Sequence, residues 1–365
     1  MRKKIFYICI CALFVCMTIS FFKINKLNKN MTVQNEDIKA YFKKNSYNFK
    51  NINAIAGDGI SNVHDIESTP DGGYVVVGRC HGEIDIDNNG EVDINIPIGF
   101  AALIVKYDSS DNIEWFKSFE LTRIDEFSSI DVTSDGEYIV GGYEYGENQE
   151  DAIVMKFDKS GNEIWKRTIG GIYEDQMNDV KVLKNGDIIG VGRFASTSIT
   201  INNTTINNEG INNGFVICYD ANGNYKWHKA IEGDGNIEPT SITETSQGVV
   251  ISVNYTYRIT FDNNSLYRQK EQNAVIIAYS LDGTYQWNLA VGEATPEQFD
   301  DPKSISKLVT NTEDEIFAIG SFLGDMEVGS RKINTPCYGG GFNTVVFKVN
   351  PKTGKFYRTI RCFWW

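Results

Sequence analysis

The chain has 365 residues, 41% hydrophobic and 12% aromatic, with a formal net charge of −13. The first 30 residues carry six basic and no acidic side chains, so the remainder stands at −19. That balance excludes a nucleic-acid-binding protein, which needs a basic face for phosphate, while the apolar content suffices for a sizeable core.

The lead comes first. Met1–Lys4 is basic, Ile5–Phe22 runs 18 residues without a charge, and Lys23, Lys26 and Lys29 follow. Residues 1–30 therefore read as a signal anchor or a signal peptide. No small-x-small cleavage site closes the run, which ends in Met17-Thr18-Ile19-Ser20. An uncleaved single-pass helix is preferred, and a cleaved signal with secretion is the alternative. A lipoprotein reading at Leu13-Phe14-Val15-Cys16 is opposed by the bulk of Val15. Residues 31–50 are polar, with one weak helical stretch, and read as a stalk. Export of the large C-terminal portion follows.

From residue 51 to 365 the chain repeats itself. IVKYDSSDNIEWFKSF (Ile104–Phe119), VMKFDKSGNEIWKRTI (Val154–Ile169), VICYDANGNYKWHKAI (Val216–Ile231) and IIAYSLDGTYQWNLAV (Ile276–Val291) are one phrase written four times, with a worn fifth copy at Val346–Ile360. The turn-opening residue and the tryptophan keep a step of seven, from Asp108 to Trp115, Asp158 to Trp165, Asp220 to Trp227 and Ser280 to Trp287. In the fifth copy Asn350 to Tyr357 keeps the step, and a slip of one makes Phe356 the equivalent. An Asp, Ser or Asn there bonds the backbone two residues on, and a turn glycine supplies a positive φ. The tryptophans are expected to wedge between sheets.

Each copy follows a second phrase, a turn and then a nearly continuous apolar run: DGGYVVVG, DGEYIVGG, NGDIIGVG, QGVVISVN and EDEIFAIG. Such a run suits a strand covered on both faces. A shorter strand precedes it. Four strands per unit of about 50–66 residues, with aromatic landmarks and almost no helix, predict an all-β fold, a β-propeller of about five four-stranded blades. These phrases resemble the bacterial β-propeller repeats of the SBBP type, and the tryptophan turn is similar to that of quinoprotein-like propellers. The resemblance covers residues 60–360 and implies a fold, not a chemistry. The stretch Phe49–Gly59 resembles the last strand of a unit. Either a five-bladed ring carries an extra edge strand, or the ring is incomplete.

Of seven cysteines, none forms a CxxC pair, which argues against zinc. Cys218 lies in an apolar run and is expected to be a small core residue; one disulfide elsewhere stays open. The sharpest candidate site is Asp85-Ile86-Asp87-Asn88-Asn89-Gly90-Glu91-Val92-Asp93. It fits the hairpin calcium pattern D-x-D-x-N-G-x-x-D, so Asp85, Asp87, Asn89, Glu91 and Asp93 are the expected metal residues. Against this stands a plain Asn-Gly hairpin turn. A second set opens the inner strands: Asp65, Asp131, Asp179, Ser241 and Ser304. It is either a polar funnel or, more simply, a series of bonds to the backbone of the adjacent blade. The insertions Ser196–Gly214, Asp262–Gln272 and Gly324–Gly341 are rich in Asn, Thr and Gly, which suits sugars or peptides or merely polar turns.

No catalytic motif is evident. The expected function is non-catalytic binding or scaffolding at a bacterial cell surface, with protein or glycan partners and a membrane tether. A polysaccharide hydrolase with carboxylates at the channel mouth is the alternative, and a calcium-stabilised wall spacer a third reading.

Overall fold

The computed structural model describes residues 55, 59–119, 124–145, 149–293, 302–333 and 343–363, so the expected anchor and stalk lie outside the described residues. Every regular element among the described residues is a strand. The first unit is β1 (Ile60–Ser68), β2 (Tyr74–Ile84), β3 (Ile94–Tyr107) and β4 (Ile113–Ser118). The second is β5 (Ile124–Val132), β6 (Tyr138–Tyr145), β7 (Glu150–Phe157) and β8 (Glu163–Ile169). The third is β9 (Asp175–Val182), β10 (Ile188–Phe194), β13 (Asn213–Tyr219) and β14 (Tyr225–Gly233), with a small hairpin of β11 (Ser198–Ile201) and β12 (Thr204–Asn207). The fourth is β15 (Ile237–Thr245), β16 (Gly248–Phe261), β17 (Asn264–Tyr279) and β18 (Tyr285–Glu293). The fifth is β19 (Lys303–Thr310), β20 (Ile316–Phe322), β23 (Asn343–Val349) and β24 (Phe356–Phe363), with the hairpin β21 (Met326–Val328) and β22 (Arg331–Ile333). Each unit is an antiparallel meander, and the inner strands are longer than the short strands the sequence suggested.

The core lies between units. One apolar cluster joins Val75, Val77 and Ile104 of the first unit to Phe127, Tyr138 and Met155 of the second. Equivalent clusters join the second unit to the third, the third to the fourth and the fourth to the fifth. Sheets stacked face to face need strands buried on both sides. Thus Tyr138–Tyr143 is buried without a break, as the apolar run predicted. In the fifth unit β20 instead alternates between buried and half-buried positions. Inner strands of successive units pack side by side, β1 on β5, β5 on β9, β9 on β15 and β15 on β19. The described residues are all-β and propeller-like.

The insertions do structural work. The extended end of β16 pairs with β14 through Phe261 and Ile231, and β21 pairs with β18 through Val328 and Val291. These contacts join the third and fourth units into one ten-stranded sheet with β21 and β22 at its edge. Ile199, Ile201 and Ile206 of the small hairpin in the third unit pack into the cluster that holds Ile169 of β8. Each insertion thus covers the outer strand of the preceding unit, protecting an edge that would otherwise invite pairing. To the expected polar turns of Ser196–Gly214 and Asp262–Gln272 the structure adds this covering role.

The tryptophans are wedges, as expected. A Cβ built at Gly161 would lie 2.9 Å from the Trp115 ring, at Gly223 2.8 Å from Trp165, and at Gly283 2.9 Å from Trp227. Those glycines hold φ of 72°, 75° and 83°. In the fifth unit the turn is one residue longer, closing from Asn350 N to Lys355 O, where the second unit closes from Asp158 N to Asn162 O. Phe356 therefore faces the core, and Tyr357, which kept the step of seven, is exposed.

Candidate functional site

Three places in the fold gather polar chemistry. The first is the acidic hairpin between β2 and β3. Carboxylate oxygens of Asp85, Asp87 and Asp93 lie within 4.8 Å of one another. The loop is built by its own acids. Asp85 accepts from Asn89 N at 3.1 Å and Gly90 N at 2.8 Å, and Asp93 accepts from Ile86 N at 2.8 Å. These backbone donors also hold the Asp85 carboxyl below its ordinary range. Asn88 and Gly90 take φ of 58° and 92°, which the turn requires. Three of the five expected metal residues are brought together. Asn89 turns its Oδ1 to Glu91 N at 2.7 Å, and the Glu91 carboxylate stands outside the acidic group. Three carboxylates around one point suit a hard cation with oxygen ligands.

The second place is the axis toward which the inner strands converge. All five inner strands carry a β-bulge at the same position. The pairing skips His64, Ser128, Asn178, Thr240 and Ser306. A bulge re-aims the residues around it. Asn178 Nδ2 donates to Pro239 O at 2.7 Å and Thr240 Oγ1 to Ile305 O at 2.8 Å, each in the next unit. The residue after the bulge faces the axis: Asp65, Ser129, Asp179, Ser241 and Lys307. Four of them reach the backbone of the next unit. Asp65 Oδ2 accepts from Ile130 N at 3.0 Å, Ser129 Oγ from Val180 N at 3.4 Å, Asp179 Oδ2 from Ile242 N at 2.8 Å and Ser241 Oγ from Leu308 N at 3.1 Å.

The simple reading of the inner set therefore holds for Asp65, Asp131, Asp179 and Ser241, while Ser304 needs correction. Asp131 sits two residues beyond the ring position that Ser129 fills, although it too bonds the next unit, accepting from Val182 N at 2.7 Å. Ser304 bonds Ser321 Oγ in its own unit at 2.9 Å, and Lys307 takes the ring position. A consistent signal was present. Counting back four residues from each turn-opening residue (Thr69, Thr133, Leu183, Thr245, Asn311) gives the ring in all five units.

The third place was not legible from sequence. At the bulged end of β5, Glu126 meets groups from two units. Its carboxylate lies 3.0 Å from His64 Nδ1 and 3.0 Å from Arg79 Nη1, and Tyr143 OH donates to it at 3.0 Å. Burial works to raise its pKa, but His64, Arg79 and Tyr143 together hold it below the ordinary range. Arg79 stacks over Phe100 at 4.4 Å. One unit on, Arg193 donates to Gln176, which donates to Glu150 at 2.6 Å. Of the remaining calls, Cys218 is a buried core residue, and Cys80 is buried as well. The side chains of Cys337 and Cys362 lie outside the described residues.

No family model matches the chain, and no curated protein matches it. Solved structures do. The periplasmic gluconolactonase PpgL of Pseudomonas aeruginosa aligns at 10% identity over 82% of this chain and 84% of that one, with a TM-score of 0.41. Sqt1 of Chaetomium thermophilum aligns at 10% identity over 82% and 96%, with a TM-score of 0.31. A hypothetical protein of Leishmania major aligns at 12% identity over 87% and 99%, with a TM-score of 0.35. Likenesses this distant transfer neither a chemistry nor a ligand. On its own strand order and inter-unit packing, the chain is an all-β protein of propeller-like fold.

Proposed function

We propose that the chain is a membrane-tethered, extracytoplasmic β-propeller of five blades. Its work is non-catalytic binding or scaffolding at a bacterial cell surface, and a calcium ion stiffens the hairpin of the first blade. One observation supports the non-catalytic reading above others: three of the four acids on the axis are engaged as structural acceptors between units. Asp65, Asp131 and Asp179 each hold a backbone N–H of the next unit, whereas a glycosidase pair must face an open groove. In a meander the connections before strand one and between strands two and three emerge at the same end. That end exposes Ile98, Phe100, Ile172, Tyr173 and Ile211, and apolar groups on exposed connections suit an interaction face.

The test uses the full chain in a mild non-ionic detergent, offered a panel of wall glycans and plant oligosaccharides. Saturable binding with no release of reducing ends is expected, weakened by Ile98→Asp and Tyr173→Ala. Release of reducing ends, or binding that both substitutions leave unchanged, would overturn the reading.

A further inference from the structure

On the axis, Ser129 Oγ lies 2.6 Å from Asp179 Oδ1 and 3.0 Å from Asp65 Oδ2. A hydroxyl has one hydrogen and two lone pairs. It can donate to only one of these carboxyls. The other contact places two oxygens together with no hydrogen between them, unless that carboxyl itself carries one. Asp179 is the partner with the cationic neighbour. Its Oδ2 faces Lys307 Nζ at 3.6 Å and accepts from Ile242 N, and its Oδ1 accepts from Val180 N at 3.1 Å. The shorter contact to Ser129 belongs to it, as for a charge-assisted bond. The contact to Asp65 Oδ2, which also accepts from Ile130 N at 3.0 Å, then needs a hydrogen on Asp65 pointing to Ser129 Oγ, whose second lone pair takes Val180 N. Every hydrogen and lone pair of Ser129 is used.

We propose that the axis is a proton-binding site: Asp65 holds a proton, shares it through Ser129 with Asp179, and with Lys307 this ties the first, second, third and fifth units together. The surrounding charges favour it. Asp65 and Glu67 of β1, Asp131 of β5, Asp179 and Lys181 of β9 and Lys307 of β19 lie close enough to act on one another's charge, and β15 brings the neutral Ser241. Four carboxyls against two ammonium groups leave a surplus of negative charge in a confined space. Lys181 is already paired with Asp131 at 2.8 Å. Burial, then the Asp179 charge, push the Asp65 carboxyl up, while Lys307 works against them. Burial and the Asp131 charge push Glu67 the same way.

The consequence is a proton-linked ring. Loss of the Asp65 proton removes one hydrogen bond between units and places two carboxylates against one hydroxyl. The experiment is a series of melts of the full chain in detergent between pH 5 and pH 9, with Asp65→Asn and Ser129→Ala alongside. Difference infrared spectra follow the protonated-carboxyl band over the same range. The native chain should lose several degrees of melting temperature as the band titrates away. Asp65→Asn, whose amide nitrogen can donate to Ser129 but cannot accept from Ile130 N as Oδ2 does, should lack the Asp65 part of the band and lose the Asp65 part of the pH dependence, whatever its absolute melting temperature. Ser129→Ala should move the titration to lower pH. An Asp65→Asn chain with the native band and native pH profile would overturn the proposal. If Asp65→Asn fails to fold, a native band that Ser129→Ala leaves unmoved overturns it equally.

Discussion

Trp227 lies against Gly283 of the next unit. Its indole Nε1 donates to Leu281 O at 3.0 Å, and a Cβ on the glycine would meet the ring at 2.9 Å. Ring and glycine form a matched pair that recurs along the chain. The glycine is needed twice over, for its φ of 83° and for the absence of a side chain.

Removing the wedge should therefore be costly. Trp165, 8% exposed, sits over Gly223 in the same way. Trp165→Ala is expected to cost about 3–5 kcal/mol, the range for a buried aromatic, read in urea unfolding. Gly223→Ala should also destabilise, because the new methyl meets the ring. An unchanged midpoint in both variants would put the wedge elsewhere.

The acidic hairpin predicts a metal response. Calcium should raise the melting temperature, and a chelator should reverse the rise. Asp93→Asn should abolish most of the gain while leaving the chelated melt close to native, since its amide oxygen can still accept from Ile86 N. No gain and no heat on calcium titration would leave Asp85, Asp87 and Asp93 as turn-formers only.

Asp175 gives a pH prediction with a definite sign. It is fully buried and accepts from Ser196 Oγ at 2.7 Å, Ser196 N at 3.1 Å and Gly171 N at 2.8 Å. Burial outweighs these bonds and pushes the carboxyl up to about 6. The folded state thus binds this proton more tightly than the unfolded chain does. The contribution is fully present below pH 4 and is lost as pH rises through about 6. Its size is about 3 kcal/mol, from 1.36 kcal/mol per unit. Asp175→Asn should flatten this part of the stability profile between pH 4 and 7, measured by denaturant midpoints.

The insertion hairpins predict a solubility effect. Replacing Met326–Ile333 by a short turn uncovers the end of β18 at Val291. The variant should keep its strand content by circular dichroism yet associate in a concentration-dependent way by light scattering, because a bare edge recruits partners. A monodisperse variant would refute the covering role.

The inner-strand ring shows how far the sequence could be read. Asp65, Asp179 and Ser241 were legible as small polar residues that recur at the opening of the inner-strand phrase. Asp131 and Ser304 misled because matching by residue type ignores register. The bulge that re-aims each inner strand gives no compositional signal, and Lys307 does not resemble the aspartates whose place it takes. The Glu126 cluster was hidden for a different reason: its partners His64, Arg79 and Tyr143 lie on three strands of two units.

The repeat phrase by itself determined that this chain is built from four-stranded all-β units with tryptophan wedges and glycine turns. It could do so because turn chemistry, alternation and burial are local and act within a few residues. Tertiary structure alone decided which polar side chains meet across units, that the insertions cover neighbouring edges, and that two carboxyls share one hydroxyl on the axis. Those contacts join residues far apart in the sequence, 50 positions for Ser129 and Asp179. Their geometry depends on bulges and packing angles that no short stretch of sequence encodes.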